Sequence, residues 1–304
     1  MEKKKSLKLE PWTKKNIALV ITTYVINALL FTLLFAGMCA LNAVASGVAV
    51  GEALSGIAIV DFAVIISLIL AITALYFFFE DRDFLRRAAN SEMMFLIWEL
   101  SVVICFISGR FINPYVRPLA LAAILTLFLT TTGTAIFSNF VFTMIMFAFD
   151  AFSGTLLQFS SDFSIIFFVA TGLISGIISV YCMKGLYSRL KILVVSFLIS
   201  LPSLICIVLP MVNFGGNNLG VNLLSGALSG PFAAAAFIIL LPVFEGVFKK
   251  ITCFILSELT DHKARLIRKL ITQAPGTFNH SIIVSNIAEA CATAIGEDAL
   301  LART

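Results

Sequence analysis

The chain holds two histidines, and only one of them falls inside a patterned helix. Pro275-Gly276 breaks the helix before it, Thr277 is a good N-cap, and Ile283, Val284, Ile287, Cys291 and Ile295 then recur at helical spacing. His280 lies on that stripe, since 280, 284, 287 and 291 fall at i, i+4, i+7 and i+11. Its imidazole is expected to face whatever this helix packs on, where a neutral ring nitrogen can ligate a metal. The same placement suits a first-turn or core histidine satisfied by a backbone carbonyl. Gly296 follows as a C′ residue that closes the helix. His262, by contrast, stands at the start of a polar helix and reads as exposed, with no metal role.

Glu99 is the other candidate. It sits in the middle of Phe95-Leu96-Ile97-Trp98-Glu99-Leu100-Ser101, an apolar run in which an ionised carboxylate is costly and an acid is by default a functional candidate. A protonated or hydrogen-bonded structural acid fits the same position. Asp150 and Asp162 fall at the ends of apolar runs and read as solvated. The six cysteines are scattered without a CxxC pair, so neither a disulfide framework nor a zinc cluster is expected. Gly172 with Gly176, and Gly226 with Gly230, have the GxxxG spacing that permits close helix contact.

These residues must be positioned by helices in a bilayer. With 60% hydrophobic residues, 12% charged residues and a mean hydropathy of +1.04, the chain is an integral membrane protein. The net charge of +4 is no nucleic-acid signal, because the basic residues form no patch interleaved with aromatics. Residues 1–16 form a basic N-terminus, and 17–40 are too long for a signal-peptide core and read as an anchor that stays in the membrane. Residues 41–61 leave room for a short extracytoplasmic loop only. Within 62–248 the apolar runs are 62–79, 92–111, 117–132, 134–150, 164–182, 191–212 and 222–248, each near the roughly 20 residues that cross the hydrocarbon core. The break at Thr130-Thr131-Thr132-Gly133-Thr134 is either a tight turn or the interruption of one re-entrant segment.

The anchor and these seven runs make eight spans, which puts both termini on one side. Of the 21 Lys and Arg residues, all but Arg110 and Arg117 then fall on that side, which the positive-inside rule assigns to the cytoplasm. Residues 249–274 leave the bilayer through Lys249-Lys250 and continue as an amphipathic linker, with Leu266, Ile267 and Leu270 opposed to Lys263, Arg265, Arg268 and Lys269. No pair of broken helices repeats strongly enough to argue for a transporter fold.

Glu258-Leu259-Thr260-Asp261, Leu266-Ile267-Arg268-Lys269-Leu270, Ala274-Pro275-Gly276-Thr277-Phe278-Asn279-His280-Ser281 and Asn286-Ile287-Ala288-Glu289-Ala290 resemble the membrane-to-domain junction of the seven-transmembrane HD phosphohydrolases. The resemblance spans 62–304, loosely in the membrane part and specifically at the junction. The family's run is typically Ala-Pro-Gly-Thr-Tyr-His-His-Ser. Phe278 and Asn279 replace its Tyr and first His, and His280 matches the second His, which ligates metal in the family.

The resemblance implies an all-α fold. A polytopic transmembrane bundle of about eight spans runs into the first helix of a cytoplasmic HD-type domain, 275–304, at the inner membrane of a bacterial cell. It further implies a divalent metal, Mn or Fe, and a cyclic dinucleotide substrate, cyclic di-AMP in the better-studied members. The bilayer is the partner expected of the spans; nucleic acid is not expected, and a homo-oligomer stays open. The family needs a His-Asp pair and further ligands to hold two metals that polarise the phosphodiester and generate hydroxide. No His-Asp pair occurs here, since Lys263 follows His262. The chain is therefore expected to be a fragment, or the product of an early stop, that does not hydrolyse substrate alone. Two competing readings are a small-solute transporter or channel using Glu99, and a non-catalytic membrane signalling partner.

Overall fold

The computed structural model describes residues 14–47, 56–153, 162–186, 188–214, 218–260 and 265–304. His262, most of the basic N-terminus, the 48–55 part of the first loop and the side chain of Asp162 lie outside the described residues. Among those described, every regular element is helical.

The anchor run forms α1 (Lys14–Ser46), and α2 (Gly56–Glu80) returns against it. Both extend beyond their apolar runs into the expected loop. Six helical stretches are long and apolar enough to span a membrane: Asn16–Ala45, Gly56–Glu80, Ala88–Phe111, Thr132–Phe152, Arg189–Leu209 and Leu219–Phe248. Pro114–Leu129 and Phe168–Met183 are shorter apolar helices. Together they account for the eight apolar runs.

After α2 the short helix α3 (Arg82–Arg86) is capped by Asp81, whose carboxylate accepts the Phe84 N–H at 3.0 Å. The chain re-enters as α4 (Ala88–Phe111), turns through a 3-10 stretch at Pro114–Val116, and comes back as α5 (Leu121–Leu129). Only nine residues long, α5 is surrounded by α4, by α6 (Thr132–Phe152), by α7 (Asp162–Met183) and by α10 (Leu219–Phe248). Leu121 to Thr126 are all fully enclosed. A helix apolar on every side and covered by protein need not match the thickness of the lipid.

The reversal between α5 and α6 is a tight turn rather than an interrupted segment. Thr130 donates its hydroxyl to Thr126 O at 2.7 Å, and Thr131 accepts the Thr134 N–H at 3.3 Å, so two threonines satisfy the groups that the helix ends leave open. The run 191–212 is bent at Ser200 into α8 (Arg189–Ile199) and α9 (Leu201–Phe214), with Pro202 in the first turn of the second.

Both GxxxG spacings are used for close packing. A Cβ on Gly176 of α7 would run into the Asn139 carboxamide of α6, which donates to Leu173 O at 3.0 Å. A Cβ on Gly230 of α10 would meet the Ser196 carbonyl, and the Gly230 N–H donates to Ser200 Oγ at 3.2 Å. Small residues thus let backbones approach where lipid supplies no hydrophobic drive between helices.

Beyond α10 the backbone turns sharply at Lys249, held in the left-handed region at φ 50°. It continues as α11 (Cys253–Leu259), α12 (Arg265–Gln273), α13 (Pro275–Ile295) and α14 (Ala299–Arg303). Phe254 anchors α11 in the bundle, with its ring 5.2 Å from Phe128 of α5 and 6.2 Å from Phe237 of α10. Beside it Lys250 donates to Asn90 Oδ1 at 3.0 Å, which ties the exit from α10 to the start of α4. Burial, reinforced by the nearby Arg87 charge, holds the Lys250 ammonium below the usual lysine range.

Candidate functional site

Helix α13 begins three residues earlier than its threonine signal suggests. Ala274 takes the N-cap position and Pro275 the first helical position, where a missing N–H costs nothing, so Thr277 lies inside the first turn. Its end is as the glycine predicts: Gly296 adopts φ 75°, and the Glu297 N–H returns to Ala292 O at 2.9 Å. Asp298 then caps α14 by accepting the Leu300 and Leu301 N–H groups, and Arg303 pairs with Glu289 at 3.0 Å to fold α14 back on α13.

This arrangement decides which face of α13 is covered. The residues turned inward are Phe278, Ile282, Ser285, Ala288 and Ala292, while His280, Ile283, Val284, Ile287, Cys291 and Ile295 are exposed. The stripe that carries His280 was expected to face a packing partner, and among the described residues it faces none. Helices α12 and α14 are short, and both dock on the other side.

A two-metal phosphodiesterase centre needs several imidazole and carboxylate ligands around one point. Among the described residues no three His, Cys, Asp or Glu side chains come together. One exposed imidazole does not fit such a centre, and the described residues by themselves do not form it.

Glu99 lies on α4 among protein, 9% exposed, and its Oε1 has no hydrogen-bond partner among the described residues. The neighbouring Trp98 N–H is satisfied, since Ser138 accepts it at 2.7 Å and sits 3.0 Å from the Thr126 hydroxyl. Two turns towards the start of α4 is Glu92, which accepts from Asn27 of α1 at 3.0 Å. The Asn27 Oδ1 has no partner of its own among the described residues. Asn27 and Glu92 escaped sequence reasoning, although an asparagine within the anchor run was the signal available.

Asp150 corrects the sequence reading, which left it in solvent. It is 4% exposed and binds Arg117 at 2.6 Å. Gly109 makes room for the guanidinium, since a Cβ there would strike Arg117 Nε, and the Phe168 ring lies 5.4 Å away. An acid and a base at the same end of two apolar runs neutralise each other and enter the bundle as a pair.

Eight apolar helical stretches, polar pairs confined between them, and a short helical extension from one end define a multi-pass helical membrane protein. Its residues 56–252 match the family described as 7TM receptor with intracellular HD hydrolase, and the chain belongs to this family. It is 31% identical over 246 residues to the cyclic-di-AMP phosphodiesterase PgpH of Bacillus subtilis (strain 168), covering 76% of this chain and 33% of that protein. It is 34% identical over 157 residues to the protein of the same name from Listeria monocytogenes serotype 1/2a (strain 10403S), covering 49% and 21%. The chain thus spans a third or less of the length of these relatives. No solved structure matches it.

Proposed function

We propose that these 304 residues are the membrane half and the first ligand-bearing helix of a metal-dependent cyclic-dinucleotide phosphodiesterase. The observation that carries this reading is the 31% identity over 246 residues with a cyclic-di-AMP phosphodiesterase, within a family whose HD hydrolase is intracellular. In this reading both termini are cytoplasmic, the membrane is the inner membrane of a bacterium, and residues 275–304 begin the HD domain. His280 contributes one nitrogen to a site that further helices complete by packing on the open stripe of α13. The divalent ion, Mn or Fe, belongs to that completed domain. Self-association into a homo-oligomer is compatible with this arrangement.

The test compares cyclic di-AMP hydrolysis, with Mn²⁺ added, by the 304 residues and by a form in which a complete HD domain with its His-Asp pair follows residue 304. The shorter form is expected to show no turnover. The longer form is expected to turn over and to lose activity on His280→Ala. Robust turnover by the 304 residues would place the active site elsewhere.

A second reading, movement of a solute or proton through the bundle, is favoured by the unpartnered and enclosed Glu99 Oε1. It predicts flux into proteoliposomes that Glu99→Gln abolishes; the phosphodiesterase reading predicts no such flux.

A further inference from the structure

Asp61, Ile65, Ile69 and Ile72 fall at i, i+4, i+8 and i+11 and share one face of α2. Between that face and α6 lies a cleft of about 340 Å³ lined by apolar side chains alone, Met144 and Ala151 among them. The stacked rings of Tyr76 and Phe137, 3.6 Å between centroids, flank its end nearest α3. At the opposite end Phe152 packs beside Phe62, and Asp61 stands exposed one turn beyond Ile65. Both walls are helices long enough to span a membrane, so the cleft borders lipid tails.

An all-apolar cleft of this size has nothing with which to orient a polar solute, but it matches an alkyl chain. The carboxylate is a separate observation. Asp61 lies about 7 Å along the axis from the start of α2, at headgroup depth, and no cation pairs with it among the described residues. A bare anion on a lipid-facing apolar helix is unfavourable unless a positive group reaches it.

We propose that this cleft holds one acyl chain of a phospholipid with a primary-amine headgroup, whose ammonium pairs with Asp61. The site requires only that α2 and α6 cross the membrane, and so stands apart from the nucleotide chemistry proposed above.

The experiment uses the full chain in nanodiscs of phosphatidylethanolamine and phosphatidylglycerol, doped with either lipid carrying a photoreactive diazirine in its chain. After irradiation, adducts are mapped by mass spectrometry. They are expected to concentrate on residues 65–72 and 137–152, with the ethanolamine probe labelling several-fold more than the glycerol probe. Asp61→Asn should equalise the two probes without moving the adducts, and Ala151→Trp should remove them by filling the cleft. If Ala151→Trp does not fold, Asp61→Asn still decides the headgroup claim. Equal labelling of the native chain by both probes, or adducts spread evenly over the lipid-facing helices, would overturn the proposal.

Discussion

Arg117 and Asp150 meet at 2.6 Å with each side chain almost wholly enclosed, and such a pair is far more sensitive to halving than to removal. Asp150→Ala leaves a buried guanidinium uncompensated and is expected to cost about 3–5 kcal/mol. Arg117→Met with Asp150→Leu is expected to stay close to the native chain. Thermal unfolding of detergent-solubilised protein reads both, and a double variant as unstable as the single one would contradict the account. The pair was hidden in the sequence because each residue alone looks like a solvated span end, and nothing local joins positions 33 residues apart. Glu99 was visible at once, as an acid in an apolar run; its lack of a partner required the bundle. The phosphodiesterase reading gives Glu99 no transport role, so Glu99→Gln should leave solute flux unchanged and change mainly stability. The amide keeps hydrogen-bonding capacity and removes the cost of burying charge.

Hydropathy reveals a helix through its apolar length, and the long spans were legible for that reason. Their close contacts were legible only as spacing. The Gly172–Gly176 and Gly226–Gly230 pairs occur often by chance, and only the neighbours show that the backbones meet. Gly176→Ala is accordingly expected to destabilise by about 1–3 kcal/mol, as overpacking does, because the new methyl displaces the Asn139 carboxamide. Gly37→Ala in α1 meets nothing within 4 Å and serves as the neutral or mildly stabilising control. Equal effects at the two sites would show that spacing, not contact, is at work. Helix α11 lies within the stretch read from the sequence as an amphipathic linker, and its docking was not legible there because the aromatic rings that receive Phe254 come from residues 128 and 237. Phe254→Ala is expected to loosen α11 from the bundle at a cost of about 3 kcal/mol. The readout is faster limited proteolysis between α11 and α12.

At the scale of the whole molecule, α11 clasps one end of the bundle and carries α12, α13 and α14 outward from it. Arg82 to Arg87 and Lys250 gather at this end, where Lys250 meets Asn90. Arg117 and Asp150 lie at the other, where Asn113 also meets Asn222 at 3.2 Å. The limits of α13 could be read from Pro275 and Gly296, but which face it would show could not, since amphipathic spacing records an apolar stripe and not its partner. In the phosphodiesterase reading this helix, with His280 on its open face, is held at the cytoplasmic side of the membrane. Cys291 shares that face and is the one exposed native thiol among the described residues. A membrane-impermeant maleimide should therefore label Cys291 in inside-out vesicles and in detergent, but not in intact cells or right-side-out vesicles. Labelling of Cys291 in intact cells would put His280 on the wrong side for a cytoplasmic nucleotide and would contradict the account.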